Sequence, residues 1–152
     1  MLSRREFVVS AAGLLVLSVR ARWLTAQPGM PITIYMSRSC GCCAKWVDHL
    51  SANGFKPKVH DEEEMERLKD EMGVPPAVRS CHTAIIGAYL IEGHVPASDI
   101  RRLLAERPKI VGLAVPGMPG GTPGMAPPGS KGGDYEVIAF VADGSTHHFA
   151  SH

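Results

Sequence analysis

Apolar positions along this chain change period several times, and each change predicts an element. In residues 31–36 (Pro-Ile-Thr-Ile-Tyr-Met) they alternate with polar positions among β-branched residues, which predicts a strand. In residues 44–53 the period becomes helical: Trp46, Val47 and Leu50 share one side, and Gly54 is the stop. Residues 55–60 read as a second short strand. A charged helix is expected from Asp61 to Met72, with Met65, Leu68 and Met72 on one face and Gly73 ending it. Residues 83–86 and 89–92 flank Gly87-Ala88 and predict a hairpin. Residues 97–107 return to helical spacing, with Ile100, Leu103 and Leu104 as the buried stripe and Asp99 in the first turn.

The pattern then lapses. Residues 110–134 are rich in proline, glycine and methionine, and from Val115 to Gly129 they cannot form a helix or a central strand. So long a connection is a linker or a functional loop. Residues 135–141 and 145–149 flank Ala142-Asp143-Gly144, which predicts a C-terminal hairpin. Strand, helix, strand, helix, hairpin, helix is the thioredoxin-like α/β order. A sandwich of this kind is expected over residues 31–149, with the hairpin and the long loop as additions.

The N-terminus does not belong to that fold. Ser3-Arg4-Arg5-Glu6-Phe7 precedes an apolar run to Val19, followed by Arg20, Arg22 and Leu24-Thr25-Ala26. A twin arginine before so short an apolar run predicts an export signal over residues 1–26, of the twin-arginine type. The run is shorter than the roughly 20 residues a bilayer span needs. Cleavage is expected after Ala26, although Leu24 is larger than the usual residue at that offset. An uncleaved anchor is the alternative. Without the signal, 12 basic residues face 14 acidic ones. A periplasmic location follows, with no membrane contact once the signal is gone and no charge that would attract nucleic acid.

Candidate chemistry lies in the cysteines. Three of the four occur in Cys40-Gly41-Cys42-Cys43, between the first strand and its helix, and the fourth is Cys81, followed by His82. Thiolates are the ligands and nucleophiles of soft-metal and redox chemistry, and a helix N-terminus favours them over thiols. In a thioredoxin-like layout the Cys81-His82 pair faces the Cys40/Cys43 pair, so four sulfurs would meet. Three readings of that meeting stay open. Two disulfides would staple an exported domain, with three possible connectivities. A tetrahedral zinc site needs all four sulfurs on one ion, awkward for adjacent Cys42 and Cys43. A cluster of copper(I) ions suits closely spaced thiolates, because each sulfur can face a different metal.

The chain resembles the bacterial exported Cys-Gly-Cys-Cys metal-binding family that includes the copper-resistance protein CopG. The residues that carry the resemblance are Cys40 to Cys43 with Trp46, His49 and Leu50, then Gly73-Val74-Pro75 and Ser80-Cys81-His82-Thr83-Ala84. Glu92-Gly93-His94-Val95-Pro96, the segment from Gly112 to Pro119, and Pro123-Gly124-Met125 complete it. The resemblance implies a thioredoxin-like fold, copper held by Cys40, Cys42, Cys43 and Cys81 as a multinuclear cluster, and a role in copper handling or copper redox change. Other periplasmic copper-handling proteins are the partners it suggests. His82, His94, Met118 and Met125 are weaker candidate ligands. The enzyme-class alternative is a thiol–disulfide oxidoreductase working through Cys40 and Cys43. Met36 and His49 are expected to be structural, His147, His148 and His152 an exposed tail, and the acidic run from Asp61 to Glu64 a solvated helix start.

Overall fold

The computed structural model of the chain describes residues 29–127 and 132–152. The expected export signal therefore lies outside the described residues. The elements in chain order are β1 (Met30–Met36), α1 (Gly41–Ala52), β2 (Phe55–Asp61), α2 (Met65–Glu71), a 3-10 turn (Pro76–Val78), β3 (Thr83–Ile86) and β4 (Tyr89–Glu92). Then come α3 (Ala97–Glu106), β5 (Gly112–Ala114), β6 (Glu136–Phe140) and β7 (Thr146–Ser151). The seven strands form one open sheet in the order β2-β1-β3-β4-β5-β6-β7. β1 runs parallel to β2 and β4 parallel to β5, while the β1/β3, β3/β4, β5/β6 and β6/β7 pairs are antiparallel.

Both parallel pairs are joined through a helix, as such crossovers require. Helices α1 and α3 cover the same face of the sheet. There Ile32, Ile34 and Met36 of β1 meet Trp46 and Leu50 of α1, Ile100 and Leu103 of α3, and Ile91, Leu113 and Val137 from the other strands. Val74, Val78, Ala114 and Phe140 form a smaller cluster. The alternation of Leu113 with Ala114, and of Ala139 with Phe140, between the two clusters is the period-two signature of strands buried on both sides. Met36 is core, as expected.

Three elements differ from the sequence reading by more than two residues. α1 begins at Gly41, so the cysteine motif forms the helix's first turn rather than a turn ahead of it. α2 begins only at Met65: Asp61 ends β2 and pairs with Arg38, and Glu64 is the residue at the helix start. The acidic run is therefore a strand end and a turn. The fully buried residue of α2 is Lys69, while Met65, Leu68 and Met72 on the same side are half-buried. Finally, Gly112–Ala114 inside the expected loop is strand β5. Gly112 permits it, because a Cβ there would lie 2.0 Å from the Leu90 carbonyl oxygen.

Candidate metal centre

Cys40 caps α1, Cys42 and Cys43 lie in its first turn, and Cys81 precedes β3. The four sulfurs lie within 4.8 Å of one another. Cys40 and Cys43 are joined as a disulfide, their Cα atoms 5.3 Å apart, while Cys42 and Cys81 are free thiols. The Cys42 sulfur is 3.5 Å from that of Cys40. The expected meeting of four sulfurs is therefore present; of the disulfide pairings weighed, only Cys40–Cys43 occurs.

The two histidines beside Cys81 belong to the same centre. Cys43, Cys81, His82 and His94 form a second set of donors, again within 4.8 Å of one another. His94 donates its Nδ1–H to the Pro123 carbonyl oxygen at 2.7 Å, which leaves Nε2 a lone pair, 3.4 Å from the Cys81 sulfur. A backbone carbonyl on the far nitrogen is the usual way of orienting a ligating imidazole. His82 is fully buried against Trp46, with ring centroids 4.3 Å apart; its Nδ1 lies 3.4 Å from the Cys81 sulfur and its Nε2 has no hydrogen-bond partner. A buried nitrogen without a partner is costly unless a ligand completes it. Trp46 is itself fixed by an Nε1–H bond to the Val95 carbonyl at 2.9 Å.

The Pro/Gly/Met loop lies over this centre. Ser80 donates its hydroxyl to the Gly117 carbonyl at 2.7 Å, and Met118 Sδ stands 3.9 Å from the Cys42 sulfur with half its surface open to solvent. Gly124 has φ +88°, and a Cβ there would lie 2.9 Å from the Trp46 nitrogen and 3.0 Å from the Cys42 oxygen. Only glycine lets the loop backbone rest on the first turn of α1. Met125 is half-buried and its N–H bonds the Thr122 oxygen. The site thus gathers all four cysteines, His82, His94 and Met118.

Burial favours the neutral forms of Cys81, His82 and His94. Burial pushes the Cys81 thiol up to about 11, and the neighbouring Cys42 adds to the rise. Burial likewise lowers His82 well below the ordinary imidazole range, with His94 and Lys69 contributing, and burial lowers His94. A soft cation bound here would displace the proton of Cys81 and would meet imidazoles in the neutral, ligating form.

Behind the site is a group the sequence reading did not single out. Lys69 of α2 and Glu92 of β4 form an ion pair, with 1% and 0% of their side chains exposed. Glu92 also accepts the Ser80 N–H at 2.6 Å and the Thr83 hydroxyl at 2.7 Å, and Lys69 donates to that hydroxyl at 2.8 Å. Burial pushes the Glu92 carboxyl upward, and Lys69 and these donors pull it back. The pair anchors the residue preceding Cys81. The signal in sequence was slight: a lysine in the apolar stripe of α2 and a glutamate ending a buried strand.

Of the other histidines, His49 accepts the Ala97 N–H through Nε2 at 3.2 Å and so is structural. His147 and His148 are exposed on β7, whereas His152 is no loose tail: its Nε2 bonds Asp99 at 2.7 Å and its ring stacks on Tyr135.

Two solved structures match the chain closely. Form 1 of copper resistance protein CopG aligns with a TM-score of 0.75 and 43% identity, over 83% of this chain and 98% of that one. The chain belongs to the CopG-like family. Form 2 of the same protein gives the same TM-score and identity over 82% and 98% of the two chains. A family model described as a protein of unknown function, DUF411, matches residues 78–125, which span Cys81, His94, Met118 and Met125. No sequence among the curated proteins matches. Among the described residues, no helix is long and apolar enough to cross a membrane.

The donor set fits copper. Four sulfurs, a thioether and two neutral imidazoles are soft or borderline ligands, the kind copper(I) selects. One tetrahedral ion on all four sulfurs would need them about 3.8 Å apart at roughly 2.3 Å bonds, and so would need the Cys40–Cys43 disulfide reduced.

Proposed function

We propose that this chain is an exported copper-binding protein of copper resistance that holds copper(I) in a multinuclear cluster bridged by Cys40, Cys42, Cys43 and Cys81. The observation that carries the reading is the gathering of these four sulfurs within 4.8 Å. Kinship with a copper resistance protein at 43% identity supports copper as the cargo. Bridging needs all four sulfurs as thiolates, so the dithiol form of Cys40 and Cys43 is the loading form. His94 and His82 stand next to the sulfurs as further donors, and Met118 stands at the opening; Met125 is a weaker candidate in the same loop.

The scaffold is read as thioredoxin-like on the strength of the β2-β1-β3-β4 order and the position of the cysteine motif at the start of α1. The Ser3-Arg4-Arg5-Glu6-Phe7 pattern supports twin-arginine export and a periplasmic location, where other copper-handling proteins would supply or receive the metal. The experiment is metal analysis with thiol counting on anaerobically reduced protein. Several coppers per chain are expected, with a sharp fall in each single cysteine-to-serine variant. Full loading in Cys42→Ser would overturn the cluster.

A second reading draws on the Cys40–Cys43 disulfide itself, which is what a thiol–disulfide oxidoreductase carries in its oxidised form. That reading requires disulfide exchange with a substrate protein that survives Cys81→Ser and needs no metal. Loss of exchange in that variant, or none in the parent, excludes it.

A further inference from the structure

Joining Cys40 to Cys43 removes two ligands, yet it leaves a complete set behind. The free sulfurs of Cys42 and Cys81 face one another within the same group of four. Each has its own soft neighbour: Met118 Sδ is 3.9 Å from Cys42, and His94 Nε2 is 3.4 Å from Cys81. Three of the four donors are held from outside the disulfide, and Cys42 lies within its loop, on the first turn of α1. His94 is oriented by Pro123, Cys81 by the Ser80 bonds to Glu92 and Gly117, and the loop by Gly124 on the first turn of α1.

The geometry points to a second, smaller copper(I) site that exists in the disulfide form, built from the Cys42 and Cys81 sulfurs with His94 Nε2 and the Met118 thioether. It rests on the copper-binding reading above and adds a redox dependence of capacity: the dithiol form holds a cluster, and the disulfide form holds one ion. Two thiolates with a thioether and an imidazole make a sufficient soft shell for a single copper(I), whereas a bridged cluster needs the other two sulfurs as well. Met118, half-exposed, makes the outermost contact, so the single ion sits at the solvent end of the centre.

The test uses the full chain under anaerobic conditions in two preparations. One is fully reduced. The other is oxidised with diamide until two thiols remain, with the disulfide mapped by mass spectrometry. Each is titrated with copper(I) delivered from a competing chelator. The expected result is one copper(I) per oxidised chain and more than one per reduced chain. The single equivalent should be lost in Cys42→Ser and in Cys81→Ser, and in Met118→Leu it should be given up to a lower chelator concentration. An oxidised chain that takes up no copper(I), takes as much as the reduced chain, or keeps its ion without Cys42 or Cys81 overturns the inference. So does a disulfide that maps to another pair. A reduced chain that binds no copper would instead fail the copper-binding reading, an outcome read from the other preparation.

Discussion

Replacing Glu92 with alanine should cost this domain much of its stability, and replacing Lys69 at the same time should restore it. The single change strips the carboxylate from an ammonium that is 1% exposed, and it leaves the Ser80 N–H and the Thr83 O–H without their acceptor. Removing one member of a buried pair costs about 3–5 kcal/mol, because the other charge stays behind without compensation. Against a total of about 5–15 kcal/mol that is a large share. At roughly 3–6 °C per kcal/mol for a domain of this size, the melting temperature should fall by about 10–30 °C. The pair Lys69→Met with Glu92→Leu removes both charges and should be near-neutral or stabilising, since desolvation of two ions is no longer required. Yet the Ser80 N–H still lacks its acceptor there, so Cys81 should be looser and its alkylation, followed residue by residue by mass spectrometry, faster. Thermal unfolding of the three proteins checks the energetics. A Glu92→Ala loss below about 1 kcal/mol, or a double variant as unstable as the single one, would refute the reasoning.

Gly93 has φ +71°, and a Cβ there would lie 2.6 Å from the Ser80 hydroxyl and 2.7 Å from the Val115 oxygen; Gly87 has φ +58° with nothing near. Gly93→Ala should therefore melt well below Gly87→Ala, which carries only backbone strain of about 1 kcal/mol; equal melting points would show that the clash is relieved. Below about pH 6.5 the copper-free protein should lose stability. His49, His82 and His94 are held below the ordinary imidazole range chiefly by burial, so the unfolded chain takes up protons that the folded one refuses. Urea midpoints should fall between pH 7 and pH 5.5, on the order of 1 kcal/mol per pH unit for the fully buried His82; a flat profile contradicts this. His152→Ala leaves the buried Asp99 carboxylate without its 2.7 Å partner and should cost about 1–3 kcal/mol in chemical denaturation. An unchanged midpoint would mean that solvent replaces the imidazole.

Much of this was legible in the sequence where local pattern and burial agree. The β3/β4 hairpin has the bounds its Gly87-Ala88 turn predicts, and α3 buries Ile100 and Leu103 as their spacing requires. The meeting of Cys81 with the motif at Cys40 was legible too, because a strand–helix–strand order leaves the chain little choice. What escaped depended on partners distant in sequence. Strand β5 is only three residues of glycine, leucine and alanine; it becomes a strand because β4 and β6 offer hydrogen bonds on both sides. α2 looked apolar on the face of Met65, Leu68 and Met72, but Glu92 gives Lys69 a reason to be the buried residue. His152 looked like a tail residue until Asp99, 53 positions away, came within 2.7 Å. The Cys40–Cys43 disulfide joins the pair that the oxidoreductase alternative named, whereas the stapled reading left three connectivities open.

The most direct test of the copper–thiolate account is X-ray absorption at the copper edge on the reduced protein, loaded anaerobically. The account predicts an edge of copper(I), a first shell dominated by sulfur, and scattering from neighbouring copper atoms. A shell of nitrogen and oxygen, or sulfur without any copper neighbour, would contradict it.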